Sequence, residues 1–126
     1  MKLNQLDHIS IIVSDLVRAK EFYVSKLGFT IKREVERVNK RDIMLDLENG
    51  QVQLEIFVKA NAPTRLNYPE ARGLRHLAFR VEQIEQVVDE LKQKGIDCEP
   101  IRRDDFTGEK MTFLFDPDGL PLELHE

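Results

Sequence analysis

The sequence predicts an α+β fold built from two tandem βαβββ modules, and three observations carry that reading. Two His/Glu pairs share one internal spacing: His8 precedes Glu55 by 47 positions, and His76 precedes Glu123 by 47 (55−8 and 123−76). Both members of the second pair follow their counterparts by 68 positions (76−8 and 123−55). The order of strand and helix signals repeats at about the same offset, and an internal repeat is weighed before any other fold argument.

The first module spans about residues 1–58. Leu6–Val13 reads as a buried strand rich in β-branched residues. Ser14 and Asp15 offer an N-cap to a helix whose Leu16, Ala19, Tyr23 and Leu27 follow the 3.6-residue period, with Gly28 as its stop. Phe29–Arg37, Asp42–Leu47 and Gln51–Val58 are strand candidates. Glu48-Asn49-Gly50 joins the last two, and Asn-Gly is a tight-hairpin signal because both residues tolerate positive φ. Residues 59–73 carry two prolines and no apolar period, and read as a linker.

The second module spans about residues 74–126. Leu74–Val81 is its first strand. Glu82–Lys94 is its helix, with Ile84, Val87, Val88 and Leu91 on one face and Gly95 beyond the end. Asp97–Arg102, Lys110–Phe115 and Leu120–His125 complete the copy, and Asp116-Pro117-Asp118-Gly119 turns between the last two. The two modules are expected to form one domain over residues 1–126.

Strand alternation tests the duplication. His8, Ser10 and Ile12 oppose Ile9, Ile11 and Val13; His76, Ala78 and Arg80 oppose Leu77, Phe79 and Val81. Gln53, Glu55 and Phe57 oppose Val52, Leu54 and Ile56, while Pro121, Glu123 and His125 oppose Leu122 and Leu124. The all-apolar faces are expected to pack on the helices, which leaves all four His/Glu side chains on the other face.

Composition narrows the function classes. The chain has 126 residues, 41% hydrophobic and 33% charged, with a net charge of −4. Its cations are scattered, which argues against a nucleic-acid partner, since phosphate-backbone affinity needs clustered cations. No apolar run approaches the roughly 20 residues of a membrane span. The opening Met1-Lys2-Leu3-Asn4-Gln5 has no signal-peptide apolar segment, and the lone Cys98 cannot form an internal disulfide. A cytoplasmic protein is expected.

A carboxylate within an apolar strand is costly to bury unless it is paired, hydrogen-bonded or metal-bound. Glu55 in Gln-Leu-Glu-Ile-Phe and Glu123 in Pro-Leu-Glu-Leu-His are such positions. Taken singly, each of the four residues is explained as well by a solvated sheet face or a hydrogen-bonded core histidine. Four residues at matched offsets on matched faces favour a metal site with His8, Glu55, His76 and Glu123 as ligands. Such an N/O set without thiolate is unlike a structural zinc site and suits one Ni, Co, Zn, Mn or Fe ion with water completing the shell. Open water positions point to catalysis or capture of a small molecule. Elsewhere, Phe22-Tyr23 read as helix core and His125 as a surface residue. Arg102-Arg103-Asp104-Asp105 read as a solvated loop, with one arginine a candidate anchor for an anionic substrate. Lys59, Arg65 and Arg72 are similar candidates.

These segments resemble a family. Asp7-His8-Ile9-Ser10-Ile11-Ile12-Val13-Ser14-Asp15-Leu16, followed by Phe22-Tyr23 and Leu27-Gly28-Phe29, is similar to the opening of the vicinal oxygen chelate superfamily. Gly73-Leu74-Arg75-His76-Leu77-Ala78-Phe79 and Phe115-Asp116-Pro117-Asp118-Gly119-Leu120-Pro121-Leu122-Glu123-Leu124 resemble its second-module signatures. Within it, the chain is most similar to small bacterial glyoxalase I-like proteins. The resemblance implies paired modules curving as a mixed sheet around a metal cleft, with His8, Glu55, His76 and Glu123 as ligands, usually in a homodimer. It further implies a divalent ion that chelates two neighbouring substrate oxygens while a carboxylate removes the proton α to a carbonyl. Glu123 is the first choice as that base and Glu55 the second carboxylate. Two positions depart from the glyoxalase I pattern: Ile12 and Lys59 stand where an arginine and an asparagine usually anchor glutathione. The implied activity is thus a glyoxalase I-like lyase or isomerase without assured glutathione use. A thiol transferase of the fosfomycin-resistance type, needing only His, His and Glu, and a non-enzymatic sequestration module are the alternatives.

Overall fold

The computed structural model describes all 126 residues, Met1–Glu126, as two compact units, Met1–Pro63 and Thr64–Glu126. The segment read as a linker is thus divided at Pro63 and Thr64.

In the first unit, β1 (Ile9–Val13) leads into a short helix α1 (Leu16–Ala19) that continues as a π-helical stretch, Lys20–Lys26. The Asp15 side chain caps α1 by accepting from the Arg18 backbone N–H at 2.8 Å. Gly28 follows at φ +82°, the left-handed geometry that a helix exit favours. Strands β2 (Thr30–Arg37), β3 (Asp42–Asn49) and β4 (Val52–Val58) complete a four-stranded sheet in the order β1-β4-β3-β2. β1 runs parallel to β4, and the remaining pairs are antiparallel. The core follows the apolar alternation: Ile11 and Val13 of β1, Leu45 and Leu47 of β3, and Leu54 and Ile56 of β4 are buried. Phe22 and Tyr23 join them as helix core, their rings packed edge to face at 5.0 Å.

The second unit repeats the plan. β5 (Leu77–Arg80), α2 (Ile84–Gln93), β6 (Arg102–Arg103), β7 (Lys110–Phe115) and β8 (Pro121–His125) form a sheet in the order β5-β8-β7-β6. The parallel registers match: Ser10 faces Glu55 and Ala78 faces Glu123, the same separation in each copy. The antiparallel registers differ. Asp46 stands opposite Glu55, but Phe113 stands opposite Glu123, so the opposing residues lie 67 apart (113−46) while the glutamates lie 68 apart (123−55). The second hairpin is therefore slipped by one residue relative to the first.

Three strands are shorter than their sequence signals by three residues or more. β1 and β5 begin at Ile9 and Leu77, because Leu6 and Leu74 are exposed and pair with nothing in the sheet. Of Asp97–Arg102 only Arg102 is strand, continued by Arg103 beyond the expected end. Pro100 supplies no N–H to a ladder there, and the approach to β7 is reduced to the Glu99 backbone N–H donating to the Phe113 carbonyl and the Thr112 hydroxyl donating to the Glu99 carbonyl. No helix is long and apolar enough to cross a membrane.

Candidate functional site

Both histidines sit one residue before the first strand of their unit, and both glutamates at the middle of the strand beside it. Apolar neighbours turned to the core hold each glutamate on the opposite face. Leu54 and Ile56 flank Glu55, and Leu122 and Leu124 flank Glu123, all four buried. Each unit thereby brings one imidazole to one carboxylate. His8 Nε2 lies 3.8 Å from a Glu55 oxygen, and His76 Nε2 lies 2.9 Å from Glu123 Oε2.

The two pairs differ in their surroundings, and the slipped hairpin explains why. In the first unit the residue opposite Glu55 is Asp46, itself paired with Arg33 at 2.8 Å. The Glu55 side chain is 28% exposed. In the second unit that place belongs to Phe113, whose ring packs edge-on against the His76 imidazole at 5.2 Å. The Glu123 side chain is only 9% exposed. Glu55 is thus the more exposed carboxylate, with a charged residue opposite it, and Glu123 the more buried one, with an aromatic ring opposite it.

His8 has a partner that sequence reasoning left unassigned. Its Nδ1 donates to the Asp7 carboxylate at 2.7 Å, which leaves Nε2 to face Glu55. That hydrogen bond is the main cause of the raised His8 pKa, with the Glu55 charge adding to it. The only advance signal was adjacency in the chain. His76 is preceded instead by Arg75, which is bound to Glu70. Asp42, also unassigned, is a fully buried carboxylate that receives two 2.6 Å bonds from Arg37, with Lys59 Nζ at 3.1 Å.

The other candidates divide as follows. Lys59 Nζ pairs with the Asp42 carboxylate at 3.1 Å. Arg65 ties its own segment down by donating to Asn67 Oδ1 and to the carbonyls of Leu74 and Arg75. His125, read as a surface residue, is half-buried between Glu109 at 3.3 Å and Asp104 at 3.7 Å. Arg103 donates to the Gly108 carbonyl, whereas Arg102 lies over the Phe113 ring. Neither unit gathers three or more His, Cys, Asp or Glu side chains into a group able to hold a metal ion. Each unit offers a two-donor half-site beside a cavity: about 340 Å³ with His8 and Glu55 in its wall, and about 260 Å³ with His76 and Phe113 in its wall.

A family model described as the Glyoxalase/Bleomycin resistance protein/Dioxygenase superfamily matches residues 5–124. The uncharacterized protein YwkD of Bacillus subtilis is 50% identical over 127 residues, covering 100% of this chain and 99% of that protein. The crystal structure of a glyoxalase family protein from Enterococcus faecalis superposes with a TM-score of 0.97 at 56% identity, covering 100% of both chains. More distant structures share the fold alone. A glyoxalase I variant of Zea mays has a TM-score of 0.80 at 19% identity, covering 96% of this chain and 44% of that one. The fosfomycin resistance protein FosX of Listeria monocytogenes has a TM-score of 0.75 at 17% identity, covering 98% and 93%.

Proposed function

The chain belongs to the glyoxalase/bleomycin resistance protein/dioxygenase superfamily, and on that premise we propose that it is a divalent-metal-dependent, glyoxalase I-like lyase or isomerase acting α to a carbonyl on a small substrate with neighbouring oxygens. The observation that carries this reading is the His76–Glu123 contact, an imidazole nitrogen 2.9 Å from a carboxylate on a buried strand, repeated more loosely by His8 and Glu55. The donor set fits the ion. Two imidazoles and two carboxylates without thiolate suit Ni, Co, Zn, Mn or Fe. Two donors alone leave half or more of a four- to six-coordinate shell to water, so the proposal needs both pairs at one ion, drawn from one chain or from two copies in a homodimer.

When bound, the ion supplies Lewis acidity towards two adjacent substrate oxygens. Proton transfer falls to the protein. Glu123 is the proposed base: its carboxylate takes the proton from the hydroxyl-bearing carbon beside the carbonyl, the C–H electron pair forms a C=C bond as the carbonyl π pair moves onto its oxygen, and the proton returns to the former carbonyl carbon while the hydroxyl proton passes to the former carbonyl oxygen. Phe113 opposite Glu123 keeps water from one side of that transfer. Glu55 is the second carboxylate. A glutathione moiety held as in glyoxalase I is disfavoured, because Ile12 carries no charge and Lys59 is engaged by Asp42.

Metal analysis of protein purified without added ions tests the reading. One divalent ion per chain is expected, with Glu123→Gln losing most of it. Protein unable to take up Ni, Co, Mn or Zn would instead be a sequestration module. Metal-loaded protein inert towards methylglyoxal plus glutathione would point to another thiol or a hydroxy-ketone. The looser, more exposed position of Glu55 favours one second reading, a thiol transferase that uses only His8, His76 and Glu123. Glu55→Gln separates the two: it weakens metal binding if the carboxylate is a ligand and leaves it unchanged if three ligands suffice.

A further inference from the structure

We infer that the cavity beside His76 is a binding site for an oxyanion, the carboxylate or phosphonate group of a small molecule, with Arg102 as the residue that holds it. The cavity measures about 260 Å³, slightly under the roughly 300–1,000 Å³ of sites for drug-sized ligands, so its occupant is small. Three arginines line it, against two glutamates, Glu70 and Glu99.

The three arginines are not equivalent. Arg75 is neutralised by Glu70 through both Nε and a terminal nitrogen. Arg65 is fixed by neutral acceptors, one side-chain amide and two backbone carbonyls. Arg102 makes neither contact: its guanidinium lies over the Phe113 ring at 5.7 Å. A cation–π contact orients the planar fork without neutralising it, which leaves its parallel N–H groups for a carboxylate or phosphonate. Glu99, in the same wall, is bonded to β7 through its backbone and forms no ion pair with Arg102. The first unit offers nothing comparable. The cations in its cavity wall, Lys32 and Arg33, are matched by Glu48 and Asp46. The same Phe113 ring touches both Arg102 and His76. Resting on the proposed function, this arrangement makes the substrate an anionic molecule whose charged group lies across Phe113 from the reacting end.

The test uses the full chain after chelator treatment, titrated with acetate and, separately, methylphosphonate while ¹H–¹⁵N spectra are recorded. Saturable shifts at the Arg102 Nε–H and the Phe113 amide are expected with at least one anion. The tighter of the two names the group. Arg102→Met should weaken that binding at least fivefold and Arg102→Lys by less, because charge survives but the fork does not; Arg103→Met should leave it unchanged. Absence of saturable shifts at Arg102 with both anions, or equal affinity in Arg102→Met, overturns the inference. The titration is done without metal, so failure of the metal reading leaves it intact, and its own failure leaves the metal analysis standing.

Discussion

At the scale of single residues, what the chain disclosed was pattern and what it withheld was rotamer. His8, Glu55, His76 and Glu123 stood out because four positions shared one offset. Asp7 and Asp42 did not, since their roles depend on where a side chain turns. Asp7 holds the His8 ring through Nδ1, and a partner on the far nitrogen of a ligating histidine commonly affects metal affinity by about 10- to 100-fold. Asp7→Asn is accordingly expected to weaken metal binding by about tenfold in calorimetric titration, with little change in the unfolding midpoint of the metal-free protein. Asp42 carries a different prediction. Arg37 first, and Lys59 after it, hold its carboxyl at about 2 instead of 3.8. A group whose folded pKa is depressed contributes stability above its unfolded pKa, and that contribution fades as pH falls towards the folded value. Asp42→Asn should lower Tm at pH 7, and the gap from the parent should close between pH 3.8 and about 2. A gap that stays constant across that window would assign the loss to packing and not to charge.

Single elements show how far alternation reads and where it stops. β4 was legible as a strand with two unlike faces because Leu54 and Ile56 alternate with Gln53, Glu55 and Phe57. Those two faces should separate by mutation. Ile56 is fully buried, so Ile56→Ala is expected to cost about 2–5 kcal/mol in denaturant unfolding. Glu55→Gln, one residue away on the open face, should change stability by no more than about 0.5 kcal/mol while lowering metal affinity. Equal losses of stability would mean that Glu55 is a structural residue. Register was less legible than strand identity. Asn49-Gly50 and Asp116-Pro117-Asp118-Gly119 both announce a turn, yet loop length and turn type set the pairing. Nothing in the alternation distinguishes Asp46 from Phe113 as the residue opposite the glutamate. The one-residue slip decides that His76 meets an aromatic ring. The lost strand at Asp97–Arg102 is of the same kind: its apolar content is low and Pro100 interrupts the ladder, which the alternation alone did not weigh heavily enough.

At the scale of the whole molecule, the duplication yields two half-sites of two donors each, and the metal proposal turns on whether they act as one. A His/Glu pair alone binds a divalent ion weakly, because water must supply the rest of the shell and no second imidazole adds to the field. If each pair held its own ion, the chain would bind two, and removing one histidine would leave the other ion in place. If both pairs serve one ion, the effects are coupled and single substitutions are as damaging as the double. One ion per chain is therefore expected for the parent, with His8→Ala and His76→Ala each losing nearly all of it by metal analysis after desalting. Retention of half the metal in either variant would break the shared-ion reading while leaving the family assignment untouched. Mixing the two variants then asks where the halves come from. Copies that exchange modules regain an intact site built from the undamaged halves, whereas copies that build the site within one chain carry a defect in every site and regain nothing.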